Sequence, residues 1–165
     1  MSEDKVSGST TVEAPAEAVF AVLTDPTTHE AIDGTGWVRG SLDGEPLTAT
    51  GQTFRMGMYH DNHPLKNYEM TNRVEVFERP RAIAWQPGQS PDDRGNLMDS
   101  PRLEFGGWIW RYDLAPVGDD KTEVTLTYDW SGVPPAQREH IQFPPFDVSH
   151  LDNSLRHLAE IAEAR

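Results

Sequence analysis

The chain contains no cysteine. Disulfides, thiolate nucleophiles and cysteine-ligated zinc are therefore excluded. Basic residues are scarce: 14 Lys and Arg stand against 27 Asp and Glu, a formal charge of −13. A surface that acidic keeps a protein dissolved and repels phosphate backbones, which argues against nucleic acid as a partner. No run approaches the roughly 18 apolar residues of a membrane span, so no membrane is expected either. Residues 1–8 hold no apolar segment of the kind a secretory signal needs, and a cytoplasmic protein is the expectation. Also missing are a phosphate loop, a dinucleotide fingerprint, a Ser–His–Asp arrangement and any internal repeat. His60 and His63 fall in one polar turn that offers only Asp61 as a third ligand, so neither a metal nor another cofactor is expected.

What is present is a strong two-residue period. At 165 residues the chain is expected to be one domain, 1–165, burying about two-thirds of its unfolded surface. Residues 106–130 carry the clearest pattern. Trp108, Trp110, Tyr112 and Leu114 alternate with Ile109, Arg111 and Asp113. After a Gly118-Asp119-Asp120 turn, Val124, Leu126, Tyr128 and Trp130 alternate with Glu123, Thr125, Thr127 and Asp129. This predicts an antiparallel hairpin with one wet face and one aromatic face.

The rest of the chain supplies a setting for that face. Residues 6–13 read as a strand with Thr10 and Val12 inward. Pro15 suits the first turn of a helix over 16–23 with Val19, Phe20 and Leu23 as its apolar stripe. Asp25-Pro26 stops it, and Thr27 with Glu30 fits the capping box of a second short helix. Further strands are expected at 37–42, 53–60, 67–78 and 82–86. On 67–78 the pattern places Tyr68, Met70, Asn72, Val74 and Val76 on one face. Residues 87–104 read as a long loop, either a mobile insertion or a lid. Asp147 is expected to cap a helix over 147–164, with Phe146 and Leu151 as a hydrophobic staple and Val148, Leu151, Leu155, Leu158 and Ala162 as one apolar stripe. Strands with helices segregated to one face make the class α+β.

This order, together with residues 12–26, the run from Asn72 to Pro80, Ala84-Trp85, 110–114 and 122–126, resembles the START/Bet v1-like superfamily, most closely its bacterial polyketide cyclase/dehydrase-like branch. The resemblance spans about residues 6 to 163. It implies a helix-grip fold: a seven-stranded antiparallel sheet curled around a long C-terminal helix, with two short helices after the first strand and an elongated apolar cavity inside. Members bind sterols, lipids, polyketides or plant metabolites, and a few are cyclases, aromatases or hydratases. No catalytic motif is common to the superfamily, so no catalytic residue is carried over.

Strand parity then gives the candidate ligand lining. The strand over 53–60 offers Phe54, Met56 and Met58, and the next offers Tyr68, Met70 and Asn72. Trp85 follows, then Trp108, Trp110 and Tyr112 on one hairpin arm and Tyr128 and Trp130 on the other. Leu151 and Leu155 face them from the helix, and His150 lies beside that stripe, toward the mouth. Apolar walls with few polar groups suit a ligand cavity, and thioethers make one adaptable. The alternative is that these side chains simply fill the interior. Asn72 is the single carboxamide among apolar neighbours, and burying it unpartnered costs about 1–3 kcal/mol. The leading expectation is binding of a small hydrophobic or aromatic molecule by a monomer or homodimer. The second is a polyketide cyclase or dehydratase using Tyr112, Tyr128, Asn72 or His150 as proton donor. The third is a protein-interaction domain like the C-terminal domain of the Hsp90 ATPase activator, which would carry an exposed apolar patch.

Overall fold

The predicted hairpin forms two adjacent inner strands of the sheet. In the computed structural model, which describes residues 5–32, 38–41, 46–59, 67–89, 104–105, 107–133 and 149–164, its arms are β7 (Ile109–Pro116) and β8 (Thr122–Asp129). They pair antiparallel with Trp110 opposite Tyr128, Tyr112 opposite Leu126 and Leu114 opposite Val124, so the apolar faces coincide. Gly118 turns the chain at φ +123, where its missing Cβ avoids strain.

The other elements are β1 (Lys5–Val12), α1 (Ala16–Leu23), a 3-10 turn (Pro26–Thr28), α2 (His29–Ile32), β2 (Val38–Ser41), β3 (Thr53–Tyr59), β4 (Asn67–Glu78), β5 (Ala82–Gln89), β6 (Glu104–Phe105) and α3 (Ser149–Glu163). The class is α+β. The hydrogen-bonded order is β1-β8-β7-β5-β4-β3-β2, all antiparallel, with the two-residue β6 beside β5. Eight strands are thus present among the described residues, where seven were expected.

α3 covers the inner face through Leu151, Leu155, Leu158 and Ala162, all buried. It can approach because β1 carries Gly8 at the crossing: a Cβ there would stand 3.1 Å from Asp152 Oδ1 and 3.5 Å from Leu155 Cδ1. Two polar contacts hold the helix in place. His157 Nδ1 donates to the Ile32 carbonyl at 3.1 Å, and the Glu13 backbone N–H donates to Glu163 Oε2 at 3.0 Å.

The structure corrects several sequence expectations. A register shift against β5 between Val74 and Val76 interrupts the alternation of β4. The residue it inserts sends Val76 to the outer face, and Phe77 returns to the inner one, edge-on to Phe20 at 5.3 Å. The Thr27–Glu30 capping box does not form. Asp25 takes its place: Oδ1 accepts the Thr27 backbone N–H and hydroxyl, and a 3-10 turn occupies the cap. Pro15 is the N-cap of α1 rather than its first residue, its carbonyl accepting from Ala18 and Val19. β5 continues through Pro87 to Gln89, so part of the expected 87–104 loop is strand. The Asp147 cap and its staple, the turn at residues 60–66, the remainder of that loop and the side chains of Met58, Tyr68 and Met70 lie outside the described residues.

Candidate functional site

The inner face divides into two apolar clusters. The larger contains Phe54, Met56, Val74, Ile83, Tyr112 and Leu126 from the sheet, closed by Leu151, Leu155 and Leu158 of α3. The smaller contains Tyr128, Trp130 and Val133, with half-buried Trp108 packed on it. Trp110 touches both, and its ring centroid lies 4.6 Å from that of Tyr128. The aromatic face of the hairpin is therefore not one continuous floor. Tyr112 belongs beneath α3, whereas Trp108, Tyr128 and Trp130 gather at the open end of the hairpin, away from its turn.

Between α2 and the sheet lies an aromatic box that the sequence pattern did not single out. His29 is buried and stacks on Trp85, with centroids 5.0 Å apart and planes 19° from parallel. Phe54 meets His29 edge-on at 5.6 Å and Trp85 edge-on at 5.8 Å. Tyr112 completes the group 5.9 Å from Trp85. These are the separations at which aromatic pairs attract beyond simple area burial. His29 escaped notice because its sequence neighbours read as a solvated cap. The missed signal was Ile32 three residues on, which gives the short helix an apolar face at helical spacing.

The chemistry of His29 follows from one contact. Nε2 lies 2.9 Å from the Leu23 carbonyl oxygen, which only accepts, so Nε2 carries the proton. Burial pushes the imidazole below its ordinary value, opposed by the Leu23 hydrogen bond and by the charge of Asp25. His29 is thus neutral near pH 7, with a lone pair on Nδ1. The unfolded chain binds a proton near the ordinary value of 6.5, and folded His29 does so only at lower pH. The unfolded state therefore holds more protons as pH falls below 6.5, and folding loses up to about 1.4 kcal/mol per pH unit from this group until its folded value is reached. Melting curves at pH 7.5 and 5.5 are expected to show a larger acid loss for the wild type than for His29→Phe. Equal losses would assign the pH dependence to other groups.

Asn72 is 7% exposed and lies on the inner face opposite Phe54 of β3. Its amide is not among the fully buried side-chain atoms that lack a hydrogen-bond partner. Tyr128 is also buried, and burial pushes its phenol well above the ordinary value. His150, in the first turn of α3, is half-buried. The predicted residues Phe54, Met56, Tyr112, Leu151 and Leu155 share the main cluster with Trp85 packed against it, whereas Trp108, Tyr128 and Trp130 fall in the second. Among the described residues there is no group of three or more His, Asp or Glu side chains placed to hold a metal ion, and no helix long and apolar enough to cross a membrane.

The outer face offers a different environment. A groove of about 320 Å³ is lined by Lys5, Glu75, Arg111, Asp113 and Asp129 around Ile109. Arg111 Nε lies 3.0 Å from both carboxylate oxygens of Asp113. Charged walls of this kind do not suit an apolar molecule.

An inner face roofed by a C-terminal helix and lined by aromatics defines a helix-grip domain. Residues 3–163 match the family described as "Polyketide cyclase / dehydrase and lipid transport", and the chain belongs to that family. An uncharacterised protein of Mycobacterium tuberculosis is 29% identical over 126 residues, 76% of this chain and 47% of that protein, so the chain spans about half the length of the curated relatives it matches. Among solved structures, the Zhui aromatase/cyclase of Streptomyces sp. R1128 superposes with a TM-score of 0.59 at 17% identity, covering 98% of this chain and 94% of that one. A norcoclaurine synthase point mutant of Thalictrum, in complex with a transition-state analogue, gives 0.62 at 14% identity, covering 97% and 94%. At such identities the likeness is one of fold.

Proposed function

We propose that the chain binds a small hydrophobic or aromatic molecule, lipid-like or polyketide-like, between the inner face of the sheet and α3. The observation that carries this reading is the inner face, where Phe54, Met56, Trp85 and Tyr112 line the sheet beneath α3 with one carboxamide, Asn72, opposite Phe54. An apolar lining with a single polar group suits a small apolar molecule, and Asn72 supplies a group that can orient it. Family membership and the two named fold neighbours support the same reading.

Asn72→Leu tests it. Removal of the amide is expected to weaken binding of oxygen-bearing ligands by about 0.5–1.5 kcal/mol with little change in the unfolding free energy. A variant that binds such ligands as tightly as the wild type would contradict the reading. Denaturant titration and calorimetry supply the two numbers.

Catalysis on the bound molecule is the second reading. Of the phenols first considered as acids, Tyr128 is weakened by its raised pKa, since a useful acid titrates near the working pH. His29 suits proton transfer better, being neutral with one lone pair uncommitted. For a protein-docking role the expected mark is an exposed apolar patch. Among the described residues Val117, in the β7–β8 turn, is the exposed large hydrophobic.

A further inference from the structure

We infer that β1 is a docking edge for a second copy of this chain, and that two copies pair antiparallel about Ser9 to join their sheets into one. The pairing does not depend on a ligand in the interior.

The two ends of the sheet differ. β2 closes one end with four residues and a register shift between Val38 and Gly40. A short strand and an irregular ladder are devices that keep an edge from pairing with other chains. β1 closes the other end with neither. It runs eight residues from Lys5 to Val12 and pairs with β8 at every one of them without a shift. It holds no proline, and no charged residue lies between Lys5 and Glu13. Antiparallel strands turn alternate N–H and C=O groups to opposite sides, so half of the backbone groups of β1 point away from β8. Among the described residues no strand pairs with that side, and no backbone hydrogen bond from a turn or loop reaches it.

The side chains specify the occupant. α3 reaches β1 from the inner face at Gly8, which leaves Ser7, Ser9 and Thr11 exposed on the outer one. Lys5 and Glu13 stand at the two ends of the strand, both exposed and neither in an ion pair among the described residues. A second β1 laid antiparallel with Ser9 opposite Ser9 sets Lys5 of each copy against Glu13 of the other. Ser7 then faces Thr11, and on the inner side Val6, half-buried in one chain, faces Val12. Opposite charges, paired hydroxyls and β-branched side chains are favourable cross-strand neighbours. Two chains of formal charge −13 repel one another overall, but that repulsion is screened beyond about 8 Å at physiological salt, and this register sets no carboxylate against another. The arrangement is two-fold and uses the edge of both copies, so it closes at a dimer.

Analytical ultracentrifugation of the full chain over a concentration series tests the inference. The mass is expected to rise with concentration from that of one 18.5 kDa chain to twice that value. Lys5→Glu sets a carboxylate against Glu13 at both ends and is expected to weaken the dimer by about fivefold to thirtyfold, and adding Glu13→Lys restores it. Cross-linking reads the register separately. The chain has no cysteine, and residues opposite one another in antiparallel strands stand about 4.5–5.5 Å apart at Cα, within reach of a disulfide. Under oxidation Ser9→Cys is expected to form a covalent dimer faster than Val117→Cys, whose site is exposed in the β7–β8 turn. A single-chain mass at every concentration, which would leave the edge to a different partner, overturns the inference. So does a dimer indifferent to Lys5→Glu or not restored by the second change, or a Ser9→Cys chain that cross-links no faster than Val117→Cys.

Discussion

Gly107→Ala is expected to lower the unfolding free energy by about 2–6 kcal/mol, the sum of a backbone term and a steric term of about 1–3 kcal/mol each. Gly107 has φ +101, a conformation that L residues rarely adopt. A Cβ there would stand 2.3 Å from the Gly132 carbonyl oxygen, 2.5 Å from its carbon and 2.8 Å from the Val133 nitrogen. All three are backbone atoms, so no side-chain rotation relieves the clash. The reciprocal contact is nearly as close, with a Gly132 Cβ falling 2.9 Å from the Gly107 oxygen. Two glycines thus let the chain cross itself where Trp108 and Trp130 leave the hairpin. Gly118 is the control. Its φ is +123, yet nothing lies within 4 Å of its Cβ position, so Gly118→Ala pays the backbone term alone. Denaturant unfolding of both variants separates the terms, and a Gly107→Ala loss no greater than that of Gly118→Ala would contradict the crossing.

Leu155→Ala is the second large effect. Leu155 is 1% exposed in the main cluster, and its Cδ1 sits against β1 at Gly8. Truncation removes buried methyl groups and leaves a hole that the sheet cannot collapse to fill, a combination costing about 2–5 kcal/mol. In a domain of this size each 1 kcal/mol lowers the melting temperature by about 2–4 °C. A fall in melting temperature of about 5–20 °C is expected by circular dichroism. A fall of under about 2 °C would mean that α3 does not close the inner face.

The hairpin and the closing helix were legible because each rests on one periodicity. Trp110 opposite Tyr128 and Tyr112 opposite Leu126 follow from counting by two on either side of Gly118. Leu151, Leu155, Leu158 and Ala162 follow from counting by three and four. Periodicity failed where one residue breaks the count: the register shift at Glu75 exchanges Val76 for Phe77 at the core, and nothing in the composition of β4 announces it. It failed differently at Thr27, where two side chains suited to a cap lost to Asp25, which reaches the same amide first.

The candidate site was half legible for a related reason. Asn72 stood out because an amide is conspicuous in an apolar run. His29 did not, because its burial depends on where α2 lands against Trp85 and Phe54, a long-range contact that no local pattern encodes. Nor does alternation say how far a face extends. The aromatic side chains share one side of β7 and β8, but α3 roofs only the part around Tyr112 and Leu126, so Trp130 and Tyr128 pack as a separate group.

The claim that ligands enter between the sheet and α3 is tested most directly by methyl-resolved NMR during titration with 2-naphthol. Met56 is buried on the inner face, whereas Val76 and Ile109 line the outer groove. The account predicts that the Met56 ε-methyl resonance shifts progressively and saturates, with the methyls of Val76 and Ile109 unmoved. A Met56 signal that stays fixed throughout, or shifts confined to Val76 and Ile109, would contradict it.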